Sequence, residues 1–201
     1  MRMWTVWVGL SALLLSQALA PAAMAQDQTL IMFDFEEGVQ DWAIPDWALT
    51  SPDYVGKTFR ASQTVASHGH GSVELTAEFP GGGRWTGAYA EIEMHVTDWS
   101  QFGAIALDVY VPLEAPKGLQ ARLILTVGEQ WTWTEMNRAL PLEPDRWTTI
   151  TANLKPGSLD WKFFPDDLFR KDVRKVGIRI ESDHEPAYQG PVFIDQIRLV
   201  K

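Results

Sequence analysis

The chain has 201 residues, a formal charge of −9, no cysteine and ten tryptophans. The acidic balance argues against nucleic acid and anionic membrane surfaces as partners and leaves room for a cation or a neutral ligand. Without disulfides, stability has to come from an apolar core, with a bound ion as the remaining aid.

Met1-Arg2 is a short basic start, Val6 to Leu15 is an uncharged apolar run, and Ala23-Met24-Ala25 has the small-x-small pattern of a signal-peptidase site. The run is shorter than the roughly 20 residues a membrane span needs. Residues 1–25 therefore read as a cleaved secretion signal, and no membrane insertion is expected. Removing 25 of 201 residues leaves 176, one domain of ordinary size, covering residues 26–201. Export places this domain in the periplasm or outside the cell. Eight tryptophans remain after Trp4 and Trp7 are removed, a high number that suits either an aromatic binding surface or a Trp-rich core.

Strand signals follow in order. Thr29 to Glu36 is apolar and aromatic and stops at Glu37-Gly38. Val39 to Lys57 has no period and reads as a long loop, too aromatic for a simple linker. Thr58 to Val65 alternates, and Ala66 to Gly71 is a turn. Ser72 to Phe79 places Val73, Leu75 and Ala77 on one face. Arg84 to Val96 is the longest candidate. It sets Trp85, Gly87, Tyr89, Glu91, Glu93 and His95 against a core face of Thr86, Ala88, Ala90, Ile92, Met94 and Val96.

Gly103 to Val111 turns Ile105, Leu107 and Val109 inward, and Leu119 to Val127 does the same with Leu123, Leu125 and Val127, leaving Arg122 opposite. After Gly128-Glu129-Gln130, the stretch Trp131-Thr-Trp133-Thr-Glu135 would put both indoles and the carboxylate on one face, the indoles about 7 Å apart. Alone, those indoles serve equally well as a stacking platform or as core. Pro141 to Arg146 is a turn, Trp147 to Leu154 a strand, and Lys155 to Lys171 a loop with at most one helical turn near Asp166 to Arg170. Lys175 to Glu181 buries Val176, Ile178 and Ile180 and leaves Arg179 outside. Ser182 to Gly190 reads as a polar loop, and Pro191 to Val200 closes the chain as a strand. About ten strands punctuated by turns predict an all-β fold, an antiparallel β-sandwich or barrel.

Leu30 to Gly38 (LIMFDFEEG), Ser67 to Leu75 (SHGHGSVEL) and Val192 to Leu199 (VFIDQIRL) resemble the signposts of jelly-roll carbohydrate-binding modules with the galactose-binding-like fold. The stretches Asp98-Trp-Ser-Gln-Phe-Gly to Val111-Pro112, Trp131-Thr-Trp133, Arg146-Trp147-Thr-Thr and Asp172 to Ile178 are similar to modules attached to mannanases and β-glucanases. The resemblance spans nearly all of residues 26–201. It implies a non-catalytic binder of a β-linked polysaccharide of the mannan or glucan type; the oligomeric state is not legible in the residues, and a monomer is the default expectation. The sugar would lie on one concave sheet bearing Trp85, Tyr89, Glu91, Arg122, Trp131, Trp133, Glu135 and Arg179, where aromatics stack and charged groups hold hydroxyls. It also implies a structural calcium ion where the first and last strands meet the turn before the third, held by Asp34, Glu36, Ser67 and Asp195. Asp195 is a carboxylate on a strand face shared with Phe193 and Ile197, a costly placement unless it is paired or bound to a cation.

Two alternatives remain at this level. One is a jelly-roll glycoside hydrolase or lyase using Glu91, Glu93 or Glu135, although the third acid of the acid-x-acid-x-x-acid pattern is missing. The other is a cell-surface protein-interaction domain. His68 and His70 lack the further ligands a zinc site needs.

Overall fold

The computed structural model describes residues 29–163, 166–182 and 186–201. The expected signal at residues 1–25 lies outside the described residues. The described residues fold into eleven strands and two short helices. In order these are β1 (Thr29–Phe33), α1 (Asp46–Thr50), β2 (Gly56–Ser62), β3 (Ser72–Pro80), β4 (Gly87–Glu93), β5 (Ala104–Val111), β6 (Leu119–Val127), β7 (Thr132–Glu135), β8 (Leu140–Pro141), β9 (Arg146–Asn153), α2 (Asp167–Lys171), β10 (Val173–Ser182) and β11 (Ala187–Val200).

They form two antiparallel sheets. The first has the order β2-β3-β11-β5-β9 with β1 also on β11, and the second has the order β4-β10-β6-β7 with β8 on β6. This is the expected all-β sandwich of jelly-roll type. Strand parity builds the core between the sheets. Val73, Leu75, Ile105, Leu107, Val109 and Ile150 come from one sheet and Ala88, Ala90, Leu123, Leu125, Ile178 and Ile180 from the other, all at 0% exposure. Burying an aliphatic side chain of this kind contributes about 1.5–3 kcal/mol.

Several expectations change. β4 is shorter than Arg84 to Val96, and Val96 is 62% exposed rather than core. Beyond Glu93 the chain bends at His95, with the Met94 N–H donated to Arg174 O at 2.7 Å. The expected Ser182 to Gly190 loop is strand from Ala187 onward, because Ala187 to Gly190 pair with Ala77 to Pro80. The expected turn at Pro141 contributes β8, and the expected loop at Val39 to Lys57 contains α1. The predicted single helical turn is α2, whose N-cap Asp166 accepts the Phe169 N–H at 2.7 Å.

Ile197 is not on the face of Asp195. Gln196 adopts φ +51° in a bulge where the β5–β11 register shifts, so parity reverses. Ile194, Ile197 and Leu199 all reach the core, while Asp195 stays on the outer face. There its neighbours include Asp108, whose Oδ2 accepts from Arg198 at 2.9 Å. Gly71 has a comparable structural reason: a Cβ there would lie 2.4 Å from Phe35 O, so only glycine lets the 66–71 turn pass the end of β1.

Candidate functional site: an aromatic pocket on the outer face of the second sheet

The outer face of the second sheet is laid out by register. Tyr89 pairs with Arg179, which pairs with Arg122. One row further, Glu91, Gly177, Ile124 and Glu135 line up, and the next row is Glu93, Lys175, Thr126 and Trp133. Antiparallel pairing across β4, β10 and the β6–β7 hairpin thus gathers side chains from three distant stretches of sequence onto one surface. Tyr89 can lie flat there because Gly177 has no side chain, since a Cβ at that position would meet the Tyr89 hydroxyl oxygen at 2.3 Å.

The upper end of this face holds a pocket of about 410 Å³ lined by Trp47, Tyr54, Glu91, Thr126, Trp131, Trp133 and Lys175. Trp131 does not extend β7. It sits in the β6–β7 turn at φ +53°, a left-handed conformation that is strained for a tryptophan, and is 47% exposed. Its indole lies beside two cations, Arg174 at 5.2 Å and Lys175 at 5.8 Å from the ring centre. Trp133 packs against Tyr89 with ring centres 5.3 Å apart and against Trp47 at 6.1 Å and 75°. The polar lining is a fixed chain in which the Tyr89 hydroxyl donates to Glu91 Oε2 and Lys175 Nζ donates to Glu91 Oε1, both at 2.8 Å. Lys175 also reaches Glu93 at 3.4 Å. Burial, then the Glu91 charge and hydrogen bond, push the Tyr89 hydroxyl well above the usual phenol range, so it remains a proton donor.

Of the eight side chains expected to face a ligand, Glu91, Trp131 and Trp133 line the pocket. Tyr89 is 1% exposed, lying beneath α1. Trp85 precedes β4 and stacks on the Arg179 guanidinium at 5.1 Å and beside Tyr54. Arg122, Glu135 and Arg179 join Glu181 and Lys162 in a mostly buried ion network. Arg179 Nη2 lies 2.7 Å from Glu135 Oε2, and Arg179 Nε donates to Glu181 Oε1 at 2.7 Å. Arg122 Nη1 is 3.4 Å from Glu135 Oε1, and its Nη2 donates to Glu181 Oε2 at 3.1 Å. Arg122 Nε also lies 2.7 Å from Glu181 Oε1, with its hydrogen aimed elsewhere. Lys162 donates to Glu135 from the partly exposed rim. Burial pushes the Glu135 carboxyl up, yet Lys162, Arg179 and Arg122 together hold it below the usual carboxylate range. A carboxylate held ionised in this way is a poor general acid.

Trp47, Tyr54, Thr126 and Lys175 were not foreseen. The aromatic content of the Val39 to Lys57 stretch was the signal for the first two. Thr126 and Lys175 share the parity of Arg122 and Arg179 and could have been read from it.

Of the residues expected to hold calcium, Glu36, Ser67 and Asp195 meet at the 66–71 turn, while Asp34 contacts Glu36 and Gln40. Glu36 Oε1 accepts the N–H groups of His70 and Gly71, both at 2.9 Å. Asp195 Oδ2 accepts the Ser67 N–H at 2.8 Å, the Ser67 hydroxyl at 2.9 Å and the His68 N–H at 3.2 Å. Asp34 Oδ1 accepts from the Gln40 amide at 3.1 Å and the Glu36 N–H at 3.3 Å. These acids are satisfied by N–H and O–H donors. Among the described residues no three acidic, histidine or cysteine side chains converge as a metal cluster. Asp195 is nonetheless fully buried, and burial pushes its carboxyl up against the pull of those donors. A cation there would stabilise its charge.

No protein-family model matches the chain, and no curated protein sequence matches it. Solved structures of similar fold include carbohydrate-binding modules. A non-crystalline-cellulose-specific module, CBM28, superposes with a TM-score of 0.63 at 13% identity, covering 83% of this chain and 92% of that one. CBM27-1 of Caldicellulosiruptor saccharolyticus, solved with mannohexaose, gives 0.59 at 15% identity, covering 86% and 96%. A structure described as addressing promiscuous specificity in carbohydrate-binding modules of the β-sandwich superfamily gives 0.54 at 16% identity. The alignment covers 85% of this chain and 62% of that one, so this chain spans less than two thirds of it. The fold is therefore that of the β-sandwich carbohydrate-binding modules. No helix among the described residues is long and apolar enough to cross a membrane.

Proposed function

We propose that the protein is an exported, non-catalytic binder of a β-linked polysaccharide of the mannan or glucan type. The observation that carries this reading is the convergence of Trp47, Trp131 and Trp133 with Glu91 and Lys175 in one open pocket. Indole faces stack on the apolar faces of sugar rings, and the charged pair in the pocket lining can hold hydroxyls. The sandwich fold, shared with modules whose structures are described as mannohexaose-bound or cellulose-specific, supports the same class of ligand. Affinity electrophoresis of residues 26–201 on soluble mannans and glucans is expected to show retarded migration on at least one, with no reducing ends released on incubation. Unchanged mobility on every glycan would overturn the reading.

Calcium belongs to the same proposal, held by Asp195 and by Glu36 or Asp34 beside the 66–71 turn. Added calcium is expected to raise the melting temperature and EDTA to lower it. A metal-stripped protein whose melting temperature does not respond would remove the ion from the proposal.

A further inference from the structure

We propose that α1 sets the length of the ligand: the site holds one or two sugar rings, at a chain end or a branch, and chain beyond them adds no affinity. This rests on the carbohydrate reading above and concerns how much of a glycan the site can grip.

The outer face of the second sheet presents successive cross-strand rows, each displaced by about 7 Å along the strands. An extended glycan lying along this face would need several of those rows open. They are not open. Ala48 of α1, at 1% exposure, forms a buried cluster with Tyr89 and Ile124, and Ile44, Tyr54 and Trp133 pack around it. On the same sheet face Glu135, Arg179 and Glu181 are 7%, 6% and 6% exposed and engaged with one another. On the strands themselves the pocket touches the row of Lys175, Thr126 and Trp133 and, in the next row, Glu91 alone.

Trp47 closes the pocket on the α1 side. Its ring centre lies 5.4 Å from that of Tyr89 and 6.1 Å from that of Trp133, standing 75° to the Trp133 plane. A sugar stacked on Trp133 and continuing toward Tyr89 would run into this indole. The volume of about 410 Å³ lies low in the range of roughly 300–1,000 Å³ typical of small-ligand sites, which suits one or two rings.

The segment that carries α1 is anchored at both ends to the edge of β4. Ala43 and Glu91 exchange N–H···O bonds of 3.1 and 2.9 Å. The Val55 N–H donates to Gly87 O at 2.8 Å, and the Gly87 N–H donates to Asp53 O at 3.0 Å. The cover is therefore part of the folded surface rather than a loose flap.

The test is calorimetric titration of the mature protein with β-1,4-linked mannose and glucose oligomers, from disaccharide to hexasaccharide. The expected result is a dissociation constant that changes less than about twofold beyond the trisaccharide. An increase in affinity of tenfold or more from trisaccharide to hexasaccharide would overturn the footprint while leaving carbohydrate binding intact. Silence on every oligomer and polymer would overturn both. Ala48→Glu forces a charge against Tyr89 and Ile124 and is expected to lift α1 and restore a dependence on length. Should that variant fail to fold, Trp47→Ala shortens the wall at a residue that is 43% exposed; because Trp47 also lines the pocket, the readout there is the change of affinity with oligomer length and not the affinity itself. A flat profile in wild type that stays flat in the folded variants would show that α1 does not set the length.

Discussion

Replacing Glu135 with alanine is expected to lower the melting temperature by about 10 °C. Breaking a buried ion pair by removing one partner costs about 3–5 kcal/mol, and for a domain of this size each kcal/mol shifts the midpoint by about 2–4 °C. The cost arises because Glu135 is 7% exposed and balances Arg179, itself only 6% exposed and so poorly solvated. Glu181 alone is then left facing both guanidinium groups. The Lys162 contact is discounted, since that ammonium is more than half exposed and solvent screens it.

The same residue carries a pH signature. Its folded carboxyl titrates below the unfolded value of about 4.3. Its stabilisation is therefore complete above the ordinary glutamate range and is lost as pH falls through the lower folded value. Melting curves of Glu135→Gln between neutral pH and about pH 3 should fall less steeply on the acid side than those of wild type. A melting temperature within 2 °C of wild type at neutral pH in Glu135→Ala would show that the network contributes little.

The second large effect is on binding. Trp133→Ala is expected to weaken the affinity for the glycan identified by electrophoresis about 30-fold, equivalent to roughly 2 kcal/mol, the scale of an aromatic hot spot. Trp133 also packs on Tyr89 and Trp47, so part of any loss could come from a loosened surface. Trp131→Ala separates the two contributions. Its indole is 47% exposed and holds only rim cations, so the melting temperature should hardly move while affinity falls about tenfold. Full affinity in both variants would place the ligand elsewhere.

The parts of this fold that depend on alternation were legible in the residues. Val73-Leu75-Ala77 and Ile105-Leu107-Val109 alternate without interruption, and the strands follow. Parity also put Tyr89, Glu91, Arg122, Arg179, Trp133 and Glu135 on one face correctly. It could not say whether that face is open. Asp46-Trp-Ala-Leu-Thr50 is five residues long, too short for a helical period to register, and its cover over Tyr89 is a tertiary contact. The ion network was hidden for a similar reason. Glu135, Arg122 and Arg179 become partners only because strand order sets β7, β6 and β10 side by side. Gln196 marks the limit of counting by twos, since one bulged residue moved Ile197 from the face of Asp195 into the core.

The pairing of Thr29 with Val200 has a practical consequence. Directly opposed residues of an antiparallel pair lie about 5 Å apart, so the two ends of the described domain leave it side by side, on the sheet opposite the aromatic pocket. A short linker joining them would close the chain into a ring. New ends could then be opened in the turn between β3 and β4 at the exposed Gly82, since exposed loop tips are where new termini are best tolerated. Such a circular permutant, or the whole sandwich inserted into a loop of a host protein, would keep its pocket turned away from the join.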